Sequence, residues 1–285
     1  MNLVRKNKNY MSIIDLRKTT NHPISFLYSE IFNNALLECR IDHGRSQPGF
    51  SLNGNSNSIF VVAAKKAVEF GLQKNGVEDY LKSIYSKYYE LVVPKNAAAW
   101  LDLGFSEDSI FYSEPPYAAV FPWRARSVES YKNAYVNAAI KENEALGKNL
   151  TIKDGWLFCG PVSEEKLKIE VERILNVLRS IEKKGYQRDS SSDGDAKATA
   201  LVNTNGDWRW LLTAGNHRAS AAAALGYDKI PIRVNLVIIR DQVKYWPHVV
   251  NSNFSEEEAL TFFDRVFNGK GPEITNQWVK FVQGL

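Results

Sequence analysis

Apolar and polar positions first fall into a regular period at Ser58. IFVVAAKKAVEFG (59–71) and VEDYLKSIYSKYYELV (77–92) carry apolar residues at helical spacing, and Lys74–Gly76 separates them. Residues 1–57 show no sustained period. Within them, His43–Asn57 is dense in Gly, Ser and Asn and reads as a long loop. Prolines at 115, 116 and 122 exclude regular helix across 105–123. Residues 126–147 read as a further helix ended by Gly147.

The strongest pattern follows. Ser163 reads as an N-cap, with Glu164 and Glu165 in the first turn, where the helix dipole favours negative charge. Leu167, Val171, Ile174, Leu178 and Ile181 form one apolar stripe, and Gly185 stops it. A polar loop, 188–198, leads to two strands, Ala200–Val202 and Trp208–Thr213, around a turn at Asn203–Asp207. Trp208 and Trp210 alternate with Arg209, so both point to one face, read as core. A helix from about His217 to Leu225 closes at Gly226, and Ile230–Ile239 is the last strand. The tail, 241–285, reads as two short helices, one starting at Ser255. The pattern predicts an α+β chain with a mostly helical region over 1–123, a mixed domain over 124–240 and a helical extension over 241–285.

Composition narrows the function classes. The 285 residues are 44% apolar and 24% charged, an ordinary globular balance. Lys and Arg number 36 against 32 Asp and Glu, and the net +4 gives a nucleic-acid partner little support. Cys39 and Cys159 form no CxxC, and His22, His43, His217 and His248 form no HxxxH. Neither a disulfide framework nor a histidine metal centre is therefore indicated. No apolar run reaches the ~18 residues of a membrane helix. The first residues lack a secretory apolar core, so a cytoplasmic protein is the expectation.

The chemistry concentrates where a strand enters Gly215-Asn216-His217-Arg218 and then an alanine-rich helix. A glycine turn opening a helix presents free N–H groups with partial positive charge. With His217 and Arg218 in the first turn, this is a phosphate site in waiting. The helix over 163–184 supplies a facing wall. At 100° per residue Lys166, Glu170, Arg173, Asn176 and Ser180 share one arc of about 120° beside the apolar stripe. Asp193 and Asp195 are candidates to hold Mg²⁺, since paired carboxylates near phosphates suit a hard cation.

The ordered pieces LRSIEKKG (178–185), ALV, WLLTA, GNHRASA (215–221), ALG (224–226) and IPIRV (230–234) resemble the ParB/sulfiredoxin superfamily. The resemblance runs from Ser163 to Val234, a quarter of the chain. It implies an α+β nucleotide-binding fold, with nucleotide phosphates on His217 and Arg218 and on Arg173, Asn176 and Ser180. Asn216 stands where sulfiredoxin has its reactive cysteine, so sulfinic-acid reduction is not expected. No basic recognition helix is visible in residues 240–285, so chromosome partition is not expected either. The His-Arg pair resembles the sulfiredoxin and free-serine-kinase branches. In the kinase branch a glutamate near this helix acts as base. Glu164, Glu165 and Glu170 are the candidates, with Glu170 preferred because it shares the arc with Arg173.

The flanking segments GPVSEEK and WPHVVNSNFSEEEALTFFDRVF resemble those of bacterial proteins associated with polysaccharide gene clusters. The expectation is an ATP-dependent phosphotransferase, using ATP or another nucleoside triphosphate with Mg²⁺, acting on a small hydroxyl compound such as a sugar or cell-envelope precursor. The alternatives are a non-catalytic nucleotide-binding regulatory module and, third, a ParB-like nuclease or DNA-binding protein.

Overall fold

The structure, a computed structural model, describes residues 13–30, 32–53, 55–145, 147–188 and 195–285. Its elements in chain order are β1 (Ile13–Asp15), α1 (Ile24–Leu27), β2 (Asn34–Arg40), β3 (Gly44–Arg45), α2 (Ile59–Phe70), α3 (Val77–Leu91), α4 (Ala97–Leu101) and α5 (Val128–Ala145). There follow α6 (Glu164–Lys184), β4 (Lys197–Val202), β5 (Trp208–Ala214), α7 (Asn216–Ala224), β6 (Lys229–Ile239), α8 (Pro247–Val250), α9 (Glu256–Phe267) and α10 (Asn276–Gln283). The α+β expectation is met.

The six strands form one mixed sheet in the order β1-β2-β6-β4-β5-β3. β4 and β5 make the antiparallel hairpin expected around Asn203–Asp207. β5 then leads through α7 to β6, which lies parallel to β4. The remaining strands come from the segment read as mostly helical. β2 pairs antiparallel with β6, Leu37 opposite Ile232, and β3 pairs with β5. β2 escaped the sequence reading because Asn34–Leu37 is buried without a break. A short run buried on both faces loses the period-two signal that marks a strand. The loop expected at 43–57 likewise contains β3 and a bridge from Arg45 to Ser51.

The register shift between β4 and β6 sets which core each side chain joins. Ala198 lies opposite Val234 and Thr199 opposite Leu236, so Asn235 has no partner in β4. An extra residue reverses the side-chain alternation. Ile230, Ile232 and Val234 therefore join one core with Ala198, Ala200, Trp210, Ala219 and Ala222. Leu236 and Ile238 turn instead to a second, larger core shared with Leu201 and Leu211. Ala221 faces that larger core as well. Its alanines thus let α7 sit close both to the sheet and to α2 and α6, which pack on it.

The larger core draws on α2, α3, α6, Trp246 and α9, and reaches Trp278 of α10. Arg45 is buried and donates to the carbonyls of Val266 (3.1 Å) and Phe267 (2.7 Å) at the end of α9. Sheet and core thus cross both boundaries expected at 123 and 240, which do not separate packing units. No helix among the described residues is long and apolar enough to cross a membrane.

Candidate functional site

β5 enters α7 through Gly215, whose φ is +83°. A Cβ there would sit 2.9 Å from the Ala196 Cα, so the turn admits glycine on two counts. Among the described residues no side-chain cap bond closes the start of α7. On the facing helix Ser163 accepts from the Lys166 N–H, as the N-cap reading expected.

Glu170 lies fully buried between these helices. Its Oε1 meets the Lys166 Nζ at 2.8 Å and the Arg173 Nη1 at 3.5 Å, and its Oε2 lies 2.9 Å from the His217 Nε2. Burial by itself would push the carboxyl pKa up. The hydrogen bond and charge of His217, with Lys166 and Arg173, outweigh it and hold the group well below the usual carboxylate range. Glu170 is therefore an anion, and an ionised carboxylate can only accept hydrogen bonds. The edge of the Phe60 ring packs against His217, centroids 5.1 Å apart. The Tyr85 hydroxyl is buried beside Glu170 and Arg173 with no hydrogen-bond partner among the described atoms, and burial raises its pKa well above the ordinary value.

Three of the expected site residues, Glu170, Arg173 and His217, thus meet. Arg218 is held a short way off: it donates to the Gln187 carbonyl and lies over the Tyr186 ring, 5.0 Å from its centroid. Asn216 is half-buried in the same turn, its Oδ1 unpartnered among the described atoms. Asn176 and Ser180 are exposed on α6. Ser180 lies ten residues, roughly 15 Å of helix, beyond Glu170. No single phosphate touches both levels.

Glu164 and Glu165 are exposed and make surface ion pairs, Glu164 with Lys82 and Glu165 with Lys148 at 2.7 Å. They stand apart from the cluster. Asp193 lies outside the described residues. Asp195, expected beside it on Mg²⁺, is buried and bonded to Arg233 (2.8 Å) and Arg188 (3.2 Å). Its carboxylate is engaged by two guanidinium groups, and a metal would have to displace them, so Asp195 does not fit the Mg²⁺ role. Among the described residues no three His, Cys, Asp or Glu side chains converge as a metal site.

Phe60 and Tyr85 were missed from the sequence because they sit in the apolar stripes of α2 and α3, where an aromatic residue reads as core. Lys166 was visible in the arc, yet its burial was not. Surface hollows elsewhere, of ≈ 400 Å³ near Lys66 and ≈ 470 Å³ near Asp102, are not lined by the Glu170 cluster. Set against protein-family models, curated proteins and solved structures, the chain finds no match.

Proposed function

We propose that the chain binds a nucleoside triphosphate at the start of α7 and is an ATP-dependent phosphotransferase acting on a small hydroxyl compound. The observation that carries this reading is the Lys166–Glu170–Arg173–His217 cluster set against the Gly215 turn. Lys166 and Arg173 bring two positive charges to one carboxylate. The N–H groups of the first turn of α7, which carries His217, favour an anion as well. Arg218, on the same turn, adds a planar donor suited to phosphate oxygens. Phosphoryl transfer asks mainly for such positioning and charge stabilisation. The resemblance to the free-serine-kinase branch points to a small alcohol as acceptor, and the flanking segments point to a sugar or cell-envelope precursor.

A second reading, a nucleotide-binding regulatory module without turnover, draws on Glu170 itself. A carboxylate held this far below its ordinary pKa is a weak proton acceptor. Calorimetric titration with ATP, with and without Mg²⁺, tests what the two readings share. Arg218→Ala is expected to weaken ATP binding about ten- to a hundredfold, the worth of a charge-assisted phosphate contact of ~1.5–3 kcal/mol. Unchanged affinity removes Arg218 from the phosphates, and no binding by the wild type removes both readings. Phosphate release from bound ATP then separates the enzyme from the module.

A further inference from the structure

We propose that the segment leading into α5 is a second anion site, in which Arg124, Arg126 and the Tyr131 hydroxyl take the carboxylate or phosphate group of a small ligand. The proposal is independent of the nucleotide reading of α7.

The observation that carries it is an unanswered charge. Arg124 is half-buried, and its Nε is sealed from solvent without a hydrogen-bond partner among the described atoms. Its other nitrogens make no hydrogen bond or ion pair among the described residues either. Other arginines drawn into the protein are engaged. Arg45 reaches the Val266 and Phe267 carbonyls, Arg265 the Pro48 and Leu101 carbonyls, and Arg233 the Asp195 carboxylate. A charge taken out of water is costly unless an opposite charge or a hydrogen bond answers it.

The surroundings of Arg124 add donors and no anion. Burial draws its pKa below the ordinary value, with the Tyr131 hydroxyl acting against that shift and Arg126 adding to it. No carboxylate acts on it. Glu114 is held by Lys132 at 2.8 Å, and Glu129 is exposed. Burial raises the Tyr131 pKa, while Arg124 and Arg126 pull it the other way. Tyr131 therefore keeps its proton at neutral pH and can donate it in a hydrogen bond. A guanidinium only donates, and its planar fork suits carboxylate and phosphate oxygens. Two guanidinium groups beside a phenol thus select an oxyanion.

The segment is fixed from behind. Trp123 is buried against Trp246 and Phe262, ring centroids 5.4 and 5.7 Å away. Buried His248 donates its backbone N–H to the Pro122 carbonyl at 3.0 Å and its Nε2–H to the Arg126 carbonyl at 2.9 Å. Beyond Arg126, the Ser127 carbonyl accepts the Tyr131 N–H at 2.8 Å and its Oγ accepts the Ser130 N–H at 3.2 Å. A backbone held on both sides of Arg124 leaves less freedom to lose when a ligand binds.

The test is nitrogen-15 NMR of the arginine Nε–H groups, with Arg124 assigned by the loss of its signal in Arg124→Met. The wild type is titrated with inorganic phosphate and, separately, with acetate, at constant ionic strength set by chloride. The Arg124 signal is expected to move and saturate with at least one anion, and the tighter of the two names the head group. Affinity read from the remaining signals should fall about ten- to a hundredfold in Arg124→Met. It should be unchanged in Arg218→Ala, which leaves this segment untouched. An Arg124 signal that stays fixed, or drifts without saturating, up to about 50 mM of either anion overturns the proposal. This wild-type titration decides by itself if Arg124→Met does not fold. Affinity unchanged in Arg124→Met, or lost in Arg218→Ala, overturns the proposal as well, the latter by assigning the anion to α7.

Discussion

Lys166 keeps 5% of its side chain exposed, and its ammonium is tolerable there because Glu170 answers it at 2.8 Å. Glu170→Ala would leave Lys166 and Arg173 without that acceptor. Breaking a buried pair from one side typically costs ~3–5 kcal/mol, so the urea midpoint should fall by that equivalent at neutral pH. The pH dependence has a definite sign. The folded pKa of Glu170 is depressed, so its contribution is complete above the unfolded value of ~4.3 and is lost as pH falls toward the folded value. Wild-type stability should therefore drop more steeply than that of Glu170→Gln between about pH 5 and pH 3. Parallel acid profiles would mean that the carboxylate is not held as an anion by its neighbours.

The turn into α7 is the element on which the site depends. Gly215 combines a φ of +83° with an approach to Ala196 that leaves no room for a side chain. Gly215→Ala should cost ~1–2 kcal/mol for the left-handed backbone, and more for the contact with Ala196. Because Asn216, His217 and Arg218 follow directly, the variant should also weaken ATP binding. A melting temperature and an affinity both equal to wild type would show that the turn relaxes freely. This element was legible in advance: the strand, the glycine and the alanine helix each carry a local signature. Its partner α6 was equally clear, from the N-cap Ser163 to the stop at Gly185.

At the scale of the molecule, the C-terminal helices complete the core. Trp278 of α10 has no exposed surface, packs edge-on against Tyr88 and donates its indole N–H to the Asn57 carbonyl at 2.8 Å. Trp278→Ala should cost ~3–5 kcal/mol. Strands from before residue 123 pair with strands after it, and one core spans α2 to α10. Thermal unfolding should then show one transition by near-ultraviolet and far-ultraviolet circular dichroism alike. Two separated transitions would restore the boundary expected at 123.

Local order along the chain determined α2, α3, α6, the β4–β5 hairpin, α7 and β6, because periods of 3.6 and 2 residues are written in neighbouring positions. It also put Glu170 and Arg173 on one face of α6, which needs nothing but the pitch of the helix. Tertiary structure alone decided which groups meet across distance. It brought His217 to Glu170, 47 residues away in sequence, and gave Asp195 to Arg233, 38 residues away, in place of a metal. It placed β2 beside β6, because a strand buried on both faces announces itself only through its partners. It also separated Glu170 from Glu164 and Glu165, three similar carboxylates in one helix, by burying the first against charges and leaving the others in water. Burial and pairing depend on the path of the whole chain, and so does the chemistry of this site.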